Sequence, residues 1–288
     1  MAETVRQEQS LESGSGEAEG LYGLTDDVVR AIVEAIDLER YDEVSALVGT
    51  LHAADVADLV ERLRGERREL LIKTLGPEML AETLSHLDTQ VREDLVEVLP
   101  AREFAAALAE LDSDDALEII EDLDRDQQRE VLAELPGPER LLVEQGLTYP
   151  EDSAGRLMQR EFVMVPQFWT VGETIDHLRD SKDSDALPDE FYDLFVVDPR
   201  MKLVGAVALS RVMRSRRKVR IADLMKTDIK RIPIDMDREE VAFLFRQYGL
   251  VDAPVIDDDG RLLGMITVDD VVHIVGDEAE EDMLKLAG

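Results

Sequence analysis

The segment LDTQVREDLVEV, residues 87–98, contains the pattern that decides the fold of the first half of the chain. A leucine opens it, a polar residue follows, and two apolar residues stand eight and nine positions after the leucine. Apolar residues at this spacing indicate one short amphipathic helix. The pattern is repeated, because a leucine returns every twelve residues, at Leu51, Leu63, Leu75, Leu87, Leu99, Leu111, Leu123, Leu135 and Leu147.

Proline residues mark the turns of this repeat. Gly76-Pro77, Pro100 and the run 136–138 follow repeat leucines directly, and proline can start a helix but not continue one. Each predicted helix is too short to be stable alone, so neighbouring units must bury their leucine faces against one another. The repeat therefore predicts an all-α superhelix of short helices over residues 21–150.

The second half of the chain contains one block of sequence twice. Leu157-Met158 and Leu224-Met225 are 67 residues apart, whereas DPRMKLVG, ending at Gly205, and DDDGRLLG, ending at Gly264, are 59 apart. The difference of eight residues indicates a loop inserted in the first copy, at the acidic stretch DSKDSDALPDE, residues 180–190.

Each block predicts a small α/β unit. The order is an extended opening segment, a capped helix, a strand, a turn, a second strand and a helix. Capping boxes are expected at Thr170–Glu173 and Asp237–Glu240, and strands at FYDLFVVD (191–198) and VDAPVID (251–257). The first block is assigned to residues 151–222 and the second to residues 223–275.

The composition excludes several classes of protein. The 288 residues include 66 Asp and Glu against 32 Lys and Arg, a net charge of −34, which argues against binding nucleic acid or docking on an anionic membrane. Without cysteine there is no disulfide, zinc finger or thiolate nucleophile. Residues 1–20 are expected to be a disordered acidic tail. No apolar run is long enough to cross a bilayer, and the chain is expected to be soluble.

Together these features resemble a known family. The twin blocks resemble a pair of cystathionine β-synthase (CBS) domains. With the preceding helical repeat, the bridge YPEDSAGRLM (149–158) and the ending VDDVVHIVGDEAEEDMLKLAG (268–288), residues 25 to 288 resemble the cytosolic region of MgtE-type magnesium transporters. Residues 276–288 would then begin the connecting helix of that family.

The resemblance implies a function and partners. It implies a cytosolic Mg²⁺ sensor that works as a homodimer through its CBS domains. It also implies a transmembrane magnesium pore domain as partner, in the same or another chain, and therefore a cytoplasmic location at the inner face of the membrane. No nucleic acid and no direct membrane insertion by this chain are expected.

The C-terminal segment has the charge that such a sensor needs. Seven carboxylates lie between residues 269 and 282. Two carboxylates 5 Å apart repel by about 3 kcal/mol at an effective dielectric near 20, so a helix this acidic needs a counterion when it packs against another acidic surface. Mg²⁺ suits the role because it prefers oxygen ligands and keeps several waters. The alternative is a solvated helix face.

The resemblance also assigns Mg²⁺-contacting carboxylates, position by position. Asp114 and Glu118 are four residues apart, so both can point from one helix toward one ion. His273 departs from the family at an acidic position, and neutral imidazole is a poor Mg²⁺ ligand. The full set is Glu82, Asp114, Glu118, Asp237, Glu239, Asp270, Glu278, Glu281 and Asp282.

A nucleotide site is a second prediction. CBS pairs often hold adenosine nucleotides through a Thr or Ser and a following Asp, and the second block offers Thr267 and Asp270. The first block has Ala208 and Arg211 instead, so ATP is expected in one cleft at most. Asp270 would otherwise cap the helix that begins there.

The predicted function is a Mg²⁺-sensing regulatory module that gates a magnesium channel by compaction, and an enzyme is not expected. One alternative is an adenosine-nucleotide sensor. A second is an interaction scaffold without a channel, since the stack of short helices also resembles the repeat domains of a flagellar motor protein. A third interpretation treats the acidity, with seven lysines beside 25 arginines, as adaptation to a salty cytoplasm.

Overall fold

The computed structural model describes residues 24–180, 187–188 and 191–276. The predicted tail and residues 277–288 of the predicted connecting helix lie outside this part, as does most of the predicted inserted loop. The chain forms two compact units. Of the described residues, the first comprises 24–111 and Glu118–Pro136, and the second Asp112–Leu117 and the described part of 137–276.

Short helices follow one another through the first half of the chain, as predicted. From the third helix onward they begin about every twelve residues. Their bounds are α1 Asp26–Asp37, α2 Tyr41–Val48, α3 Ala53–Arg62, α4 Glu66–Thr74, α5 Pro77–Ser85, α6 Thr89–Val98, α7 Ala101–Leu108, α8 Ser113–Asp122, α9 Arg125–Glu134 and α10 Gly137–Gly146.

Several of the repeat leucines end helices. Leu63 and Leu99 are C-cap residues, and their backbone N–H groups donate to Leu59 and Leu95 at 3.1 and 2.8 Å. Both side chains are buried. In the first unit α3 packs on α5, α5 on α7 and α7 on α9, so each of these alternate helices meets the helix two repeats away. This packing buries the leucine faces that single helices could not bury.

The second unit contains both predicted blocks. The first block has α11 Ala154–Leu157, β1 Met164–Pro166, α12 Val171–Asp180, β2 Asp193–Val197, β3 Leu203–Ala208 and α13 Leu209–Met213. The second has α14 Ile221–Leu224, β4 Ile232–Pro233, α15 Arg238–Tyr248, β5 Asp252–Ile256 and β6 Leu262–Thr267, followed by a helical segment, α16, over residues 268–276.

The two sheets have the same topology and register. Each has three strands, with the first strand parallel to the second and the second antiparallel to the third. Leu194 pairs with Val207 as Ala253 pairs with Ile266, which is the predicted offset of 59. Val165 and Ile232, the matching residues of β1 and β4, are offset by the predicted 67. The twin arrangement is confirmed.

The two predicted capping boxes have different outcomes in the structure. Thr170 and Glu173 form the expected capping box, with bonds of 2.7 and 3.3 Å between each backbone N–H and the other side chain. In the second block the predicted capping box between Asp237 and Glu240 does not form: the Asp237 carboxylate accepts from the N–H of Glu239 instead, at 2.9 Å.

The blocks exchange their opening segments. Gln159 and Met265 exchange two backbone hydrogen bonds of 2.9 and 3.0 Å, and the equivalent pair, Lys226 and Ala206, exchanges two of 2.8 and 3.0 Å. Met158 therefore lies in the core of the second sheet and Ile221 in that of the first. Each hydrophobic core therefore combines the strands of one block with the opening segment of the other. The boundaries of the cores differ from the boundaries of the sequence repeat by that segment.

Candidate metal centre

The first turn of α8 is held in place by Glu161. The backbone N–H and the hydroxyl of Ser113 donate to the Glu161 carboxylate at 3.1 and 2.8 Å. The Ser113 hydroxyl in turn accepts from the N–H of Arg160 at 2.9 Å. These bonds satisfy donors that a helix start leaves free, and they fix the position of the next residue, Asp114.

Asp270 lies in the first turn of α16. Its carboxylate accepts from the backbone N–H of Thr267 at 3.0 Å and from the Thr267 hydroxyl at 2.8 Å. Asp270 therefore takes part in capping the helix, its simpler role, from the third helical position, by bonding back to the N-cap residue Thr267. The hydroxyl of Thr267 is engaged by the same contact.

The structure brings Asp114 and Asp270 together within the second unit. Burial raises the pKa of Asp114 well above its usual value, and the charges of Asp270, Asp115 and Asp112 raise it further. Burial also raises the pKa of Asp270 to about 7, aided by Asp269 and Asp115 and opposed by the bonds from Thr267. Partly buried carboxylates whose pKa is raised by burial and by neighbouring negative charge form a site where a cation would be stabilised.

The chemistry of this pair fits magnesium better than a metal that needs a full protein cage. In the part of the chain that the structure describes, no three His, Asp or Glu side chains converge as a metal-binding set. Mg²⁺ is commonly bound through one or two carboxylates while it retains several waters. Asp114 and Asp270 could hold such a hydrated ion.

Glu118 has a different environment from Asp114. It is exposed, and its carboxylate accepts from both terminal nitrogens of Arg92 at 3.1 and 3.0 Å. Arg92 is buried, also contacts Asp122 at 3.3 Å, and donates to the carbonyl of Leu87. The sequence pattern carries no signal for this ion pair, whose partners are 26 residues apart.

The remaining predicted ligands are dispersed. Glu82 lies on the exposed face of α5 in the first unit, and Asp237 and Glu239 are exposed at the start of α15. His273, at the family's acidic position, is exposed on α16. The last three predicted ligands, Glu278, Glu281 and Asp282, lie outside the described residues.

A cleft in the second unit has a volume of about 410 Å³ and combines cationic, anionic and aromatic side chains. The Nζ of Lys230 lies 3.8 Å from the centre of the Tyr248 ring. Thr267 and Asp270, the predicted nucleotide residues, do not line this cleft, whereas their first-block equivalents do. The polar lining is Asp193, Arg211, Lys226, Asp228, Lys230, Tyr248 and Asp252.

Two equivalent aspartates face one another in this cleft. Asp193 and Asp252 stand 59 residues apart at the starts of β2 and β5. Burial raises the pKa of Asp252 to about 6, the Asp193 charge adds to it, and a bond from the Asp193 backbone opposes it. Burial also raises the pKa of Asp193, opposed by Lys226. The repeat offset was the signal that could have revealed this pair.

Comparison with known protein families agrees with the combination of a helical repeat and α/β blocks in this chain. Residues 51–152 match the family described as the MgtE intracellular N domain, and residues 221–277 match the CBS domain. The chain joins an MgtE N domain to a CBS region. The predicted resemblance to the cytosolic region of MgtE-type magnesium transporters is thereby confirmed.

Relatives with known names support the assignment. The magnesium transporter MgtE of Thermus thermophilus is 38% identical over 149 residues, which is 51% of this chain and 32% of that protein. MgtE of Bacillus subtilis is 32% identical over 149 residues, 52% of this chain and 32% of that protein. The chain thus spans about a third of the length of these curated relatives.

Solved structures resemble the whole architecture. The soluble part of a magnesium transporter has a TM-score of 0.80 at 26% identity, covering 88% of this chain and 99% of that one. The cytosolic domain of the Mg²⁺ channel MgtE, in complex with ATP, has a TM-score of 0.80 at 29% identity, covering 85% and 99%. No helix among the described residues of our chain has the length and hydropathy needed to cross a membrane.

Proposed function

We propose that this chain is a Mg²⁺-sensing regulatory module that controls a magnesium-conducting membrane domain. The observation that carries the proposal is the meeting of Asp114 and Asp270, where the charge of Asp270 adds to burial in raising the pKa of Asp114 and burial raises the pKa of Asp270. A divalent cation between them would remove this repulsion. The MgtE relatives support magnesium as the ion, since they are named as magnesium transporters.

The sensing mechanism follows from the charge. Without Mg²⁺ the acidic surfaces of the helical stack and the CBS region repel and favour an open arrangement. With Mg²⁺ bound, a compact arrangement is favoured, because a ligand shifts an equilibrium by its difference in affinity for the two states. Carboxylates of Glu82, Glu118, Asp237, Glu239, Glu278, Glu281 and Asp282 would hold further ions at other contacts.

The regulated partner would be a transmembrane pore domain. We place the module at the cytoplasmic face of the membrane, as a homodimer formed through the CBS domains. Compaction would move the connecting helix that residues 276–288 begin, and close the pore. The names of the relatives as complete transporters support this arrangement.

The decisive experiment measures the response of the melting temperature to Mg²⁺ in three variants. At pH 8, D114N and D270N should each raise the melting temperature of the Mg²⁺-free chain, because one repelling charge is gone. Each variant should also lose most of the rise in melting temperature that MgCl₂ causes in the unaltered chain. D258N, which changes an exposed turn residue, should leave both quantities unchanged.

Salt and pH distinguish binding from screening. NaCl at matched ionic strength should not reproduce the effect of MgCl₂. At pH 6 Mg²⁺ should bind more weakly, because it then competes with protons on Asp270, whose pKa is about 7. An equal response to both salts, or a full Mg²⁺ response in D114N and D270N, would show that this pair is not the sensor.

A nucleotide-binding role is a second proposal, which the cleft favours. Arg211, Lys226 and Lys230 could contact phosphates, Asp193 or Asp252 could accept from ribose hydroxyls, and Tyr248 offers an aromatic face. The complex of a relative with ATP supports the ligand class. This cleft is a different nucleotide position from the one predicted from the sequence, at Thr267 and Asp270.

Two variants separate the possible nucleotide positions. If ATP occupies the described cleft, K230Q should abolish the ATP-dependent rise in melting temperature and T267A should preserve it. The reverse result would place ATP at Thr267 and Asp270. No response of the unaltered chain to ATP would remove the nucleotide proposal.

A further inference from the structure

Basic residues are concentrated in one segment of this acidic chain. The segment RVMRSRRKVR, residues 211–220, contains six Lys or Arg residues in ten and no acidic residue, within a chain whose net charge is −34. We refer to it as the basic segment. It joins α13 to α14 on the surface of the second unit.

Backbone hydrogen bonds fix the basic segment to the residues before and within α12. The N–H of Val171 donates to Val219 and that of Gly172 to Arg217, both at 2.8 Å. The N–H of Ile221 donates back to Trp169, also at 2.8 Å. A β-carbon at Gly172 would lie 3.1 Å from the carbonyl oxygen of Arg217, so a larger residue would crowd this contact.

The side chains of the basic segment project outward. All six basic residues are exposed. Among the described residues, Arg217 is the member that forms an ion pair, with Asp176 at 2.5 Å. The other five basic side chains are Arg211, Arg214, Arg216, Lys218 and Arg220.

Apolar side chains are exposed beside these charges. Met213 is 58% exposed within the basic segment. Phe168, in the strip that pairs with the segment through Thr170 and Arg220, is 57% exposed. A fixed cationic surface with a large apolar side chain at its margin suits a boundary between water and a lipid headgroup layer.

We propose that the basic segment docks the chain on anionic phospholipid headgroups at a membrane surface. The overall negative charge does not prevent this, because charges farther than about 8 Å are largely screened at physiological ionic strength. Clusters of four to eight Lys or Arg near a membrane are sufficient to attract anionic lipids. Nucleic acid fits less well, because its extended phosphate backbone would reach beyond this short segment onto a chain whose net charge is −34.

The proposal goes beyond Mg²⁺ sensing and does not depend on it. It concerns a surface remote in sequence from Asp114 and Asp270, and its test can exclude Mg²⁺. Failure of one proposal therefore leaves the other unaffected.

Vesicle flotation of the full chain in EDTA tests the docking. The chain should float with vesicles of phosphatidylcholine and phosphatidylserine at about 0.1 M KCl, and not with phosphatidylcholine alone. The test variant combines R214Q, R216Q, K218Q and R220Q. Each basic residue near the membrane surface contributes about fivefold to binding, so the affinity of this variant for the anionic vesicles should fall at least about a hundredfold.

A matched control changes the same charge elsewhere. It combines four substitutions of exposed arginines in the first unit, R64Q, R102Q, R125Q and R129Q, and should bind vesicles within about threefold of the unaltered chain. Circular dichroism melts should show that both variants remain folded.

Three results would overturn the proposal. The first is that the unaltered chain fails to bind the anionic vesicles. The second is that the control variant loses binding as strongly as the basic-segment variant. The third is that a single-stranded oligonucleotide binds through the same four residues while vesicles do not, which would assign the segment to nucleic acid instead.

Discussion

The hydroxyl of Ser113 donates to the carboxylate of Glu161 at 2.8 Å, so a side chain 48 residues later in the sequence caps the start of the helix that presents Asp114. Because the backbone N–H of Ser113 donates to the same oxygen, Glu161 serves the capping role that nearby residues usually fill.

Removing this cap should weaken both folding and the proposed Mg²⁺ site. E161A leaves the donors of Ser113 without their acceptor and should lower the free energy of unfolding by about 1 to 2 kcal/mol in urea titrations. It should also weaken Mg²⁺ binding measured by calorimetry, because Asp114 is then less well fixed.

Ser85 provides the matched control for the hydroxyl. S113A removes a hydroxyl that donates to Glu161, whereas S85A removes one that donates to the Glu82 carbonyl at an exposed position. S113A should be the more destabilising, and only S113A should affect Mg²⁺. Equal effects of the two would mean that the Glu161 cap has no special role.

The Asp252 carboxyl should make the chain less stable as pH rises through the weakly acid range. Its pKa is about 6 in the folded chain and about 4 unfolded. The folded state therefore binds more protons between these values, so the free energy of unfolding falls as pH rises from about 4 to 6, and the loss persists above pH 6.

D252N should remove this pH dependence. At pH 7.5 it should raise the free energy of unfolding by up to about 3 kcal/mol, while near pH 4 it should match the unaltered chain. Urea titrations across this range measure the difference, with D259N, in an exposed turn, as control. A parallel shift of both variants at every pH would contradict the assignment to Asp252.

Arg92 should matter for stability more than the carboxylates it contacts. It is 7% exposed and is shared by Glu118 and Asp122. R92M leaves Asp122 partly buried without its cation and should lower the free energy of unfolding by about 2 kcal/mol. E118Q should cost less than about 1 kcal/mol, because Glu118 is exposed.

The control for Arg92 is an exposed ion pair of the same kind. R67M removes the bidentate contact of Arg67 with Asp37, made at 2.7 and 2.6 Å, and should have a much smaller effect in the same titration. A loss as large as that of R92M would show that burial of Arg92 is unimportant.

Two equivalent glycines permit the exchange of opening segments. A β-carbon at Gly264 would lie 2.6 Å from the carbonyl oxygen of Gln159, and one at Gly205 would lie 2.5 Å from that of Lys226. G264A and G205A should each lower the free energy of unfolding by about 1 to 3 kcal/mol. G137A, where nothing lies within 4 Å, is the control and should be nearly neutral.

The positions of the helices and strands were predictable because their signals are local. The leucine spacing located the helix ends at residues such as Leu63 and Leu99, and the offsets of 67 and 59 reproduced the strand register. The exchange between blocks was not predictable, because the hydrogen bonds of Gln159 could be satisfied by the last strand of either block.

The site was predictable only in part, for a similar reason. The resemblance to the family selected Asp114 and Asp270, which the structure brings together. It could not show that Arg92 holds Glu118, or that Thr267 donates to Asp270 and leaves the cleft to the first-block positions. These outcomes depend on side chains far apart in sequence, which compete for the same partners.

The exchanged opening segments make the two blocks one cooperative folding unit. A fragment cut between residues 222 and 223 would leave the second half without Met158 and the first half without Leu224 and Met225, which pack on the cores of the two sheets. It would also expose an unpaired edge at β3 or β6. Neither half is therefore expected to fold as an autonomous domain. Stabilisation of one block, for example by a bound ligand, is shared by the other because both unfold together.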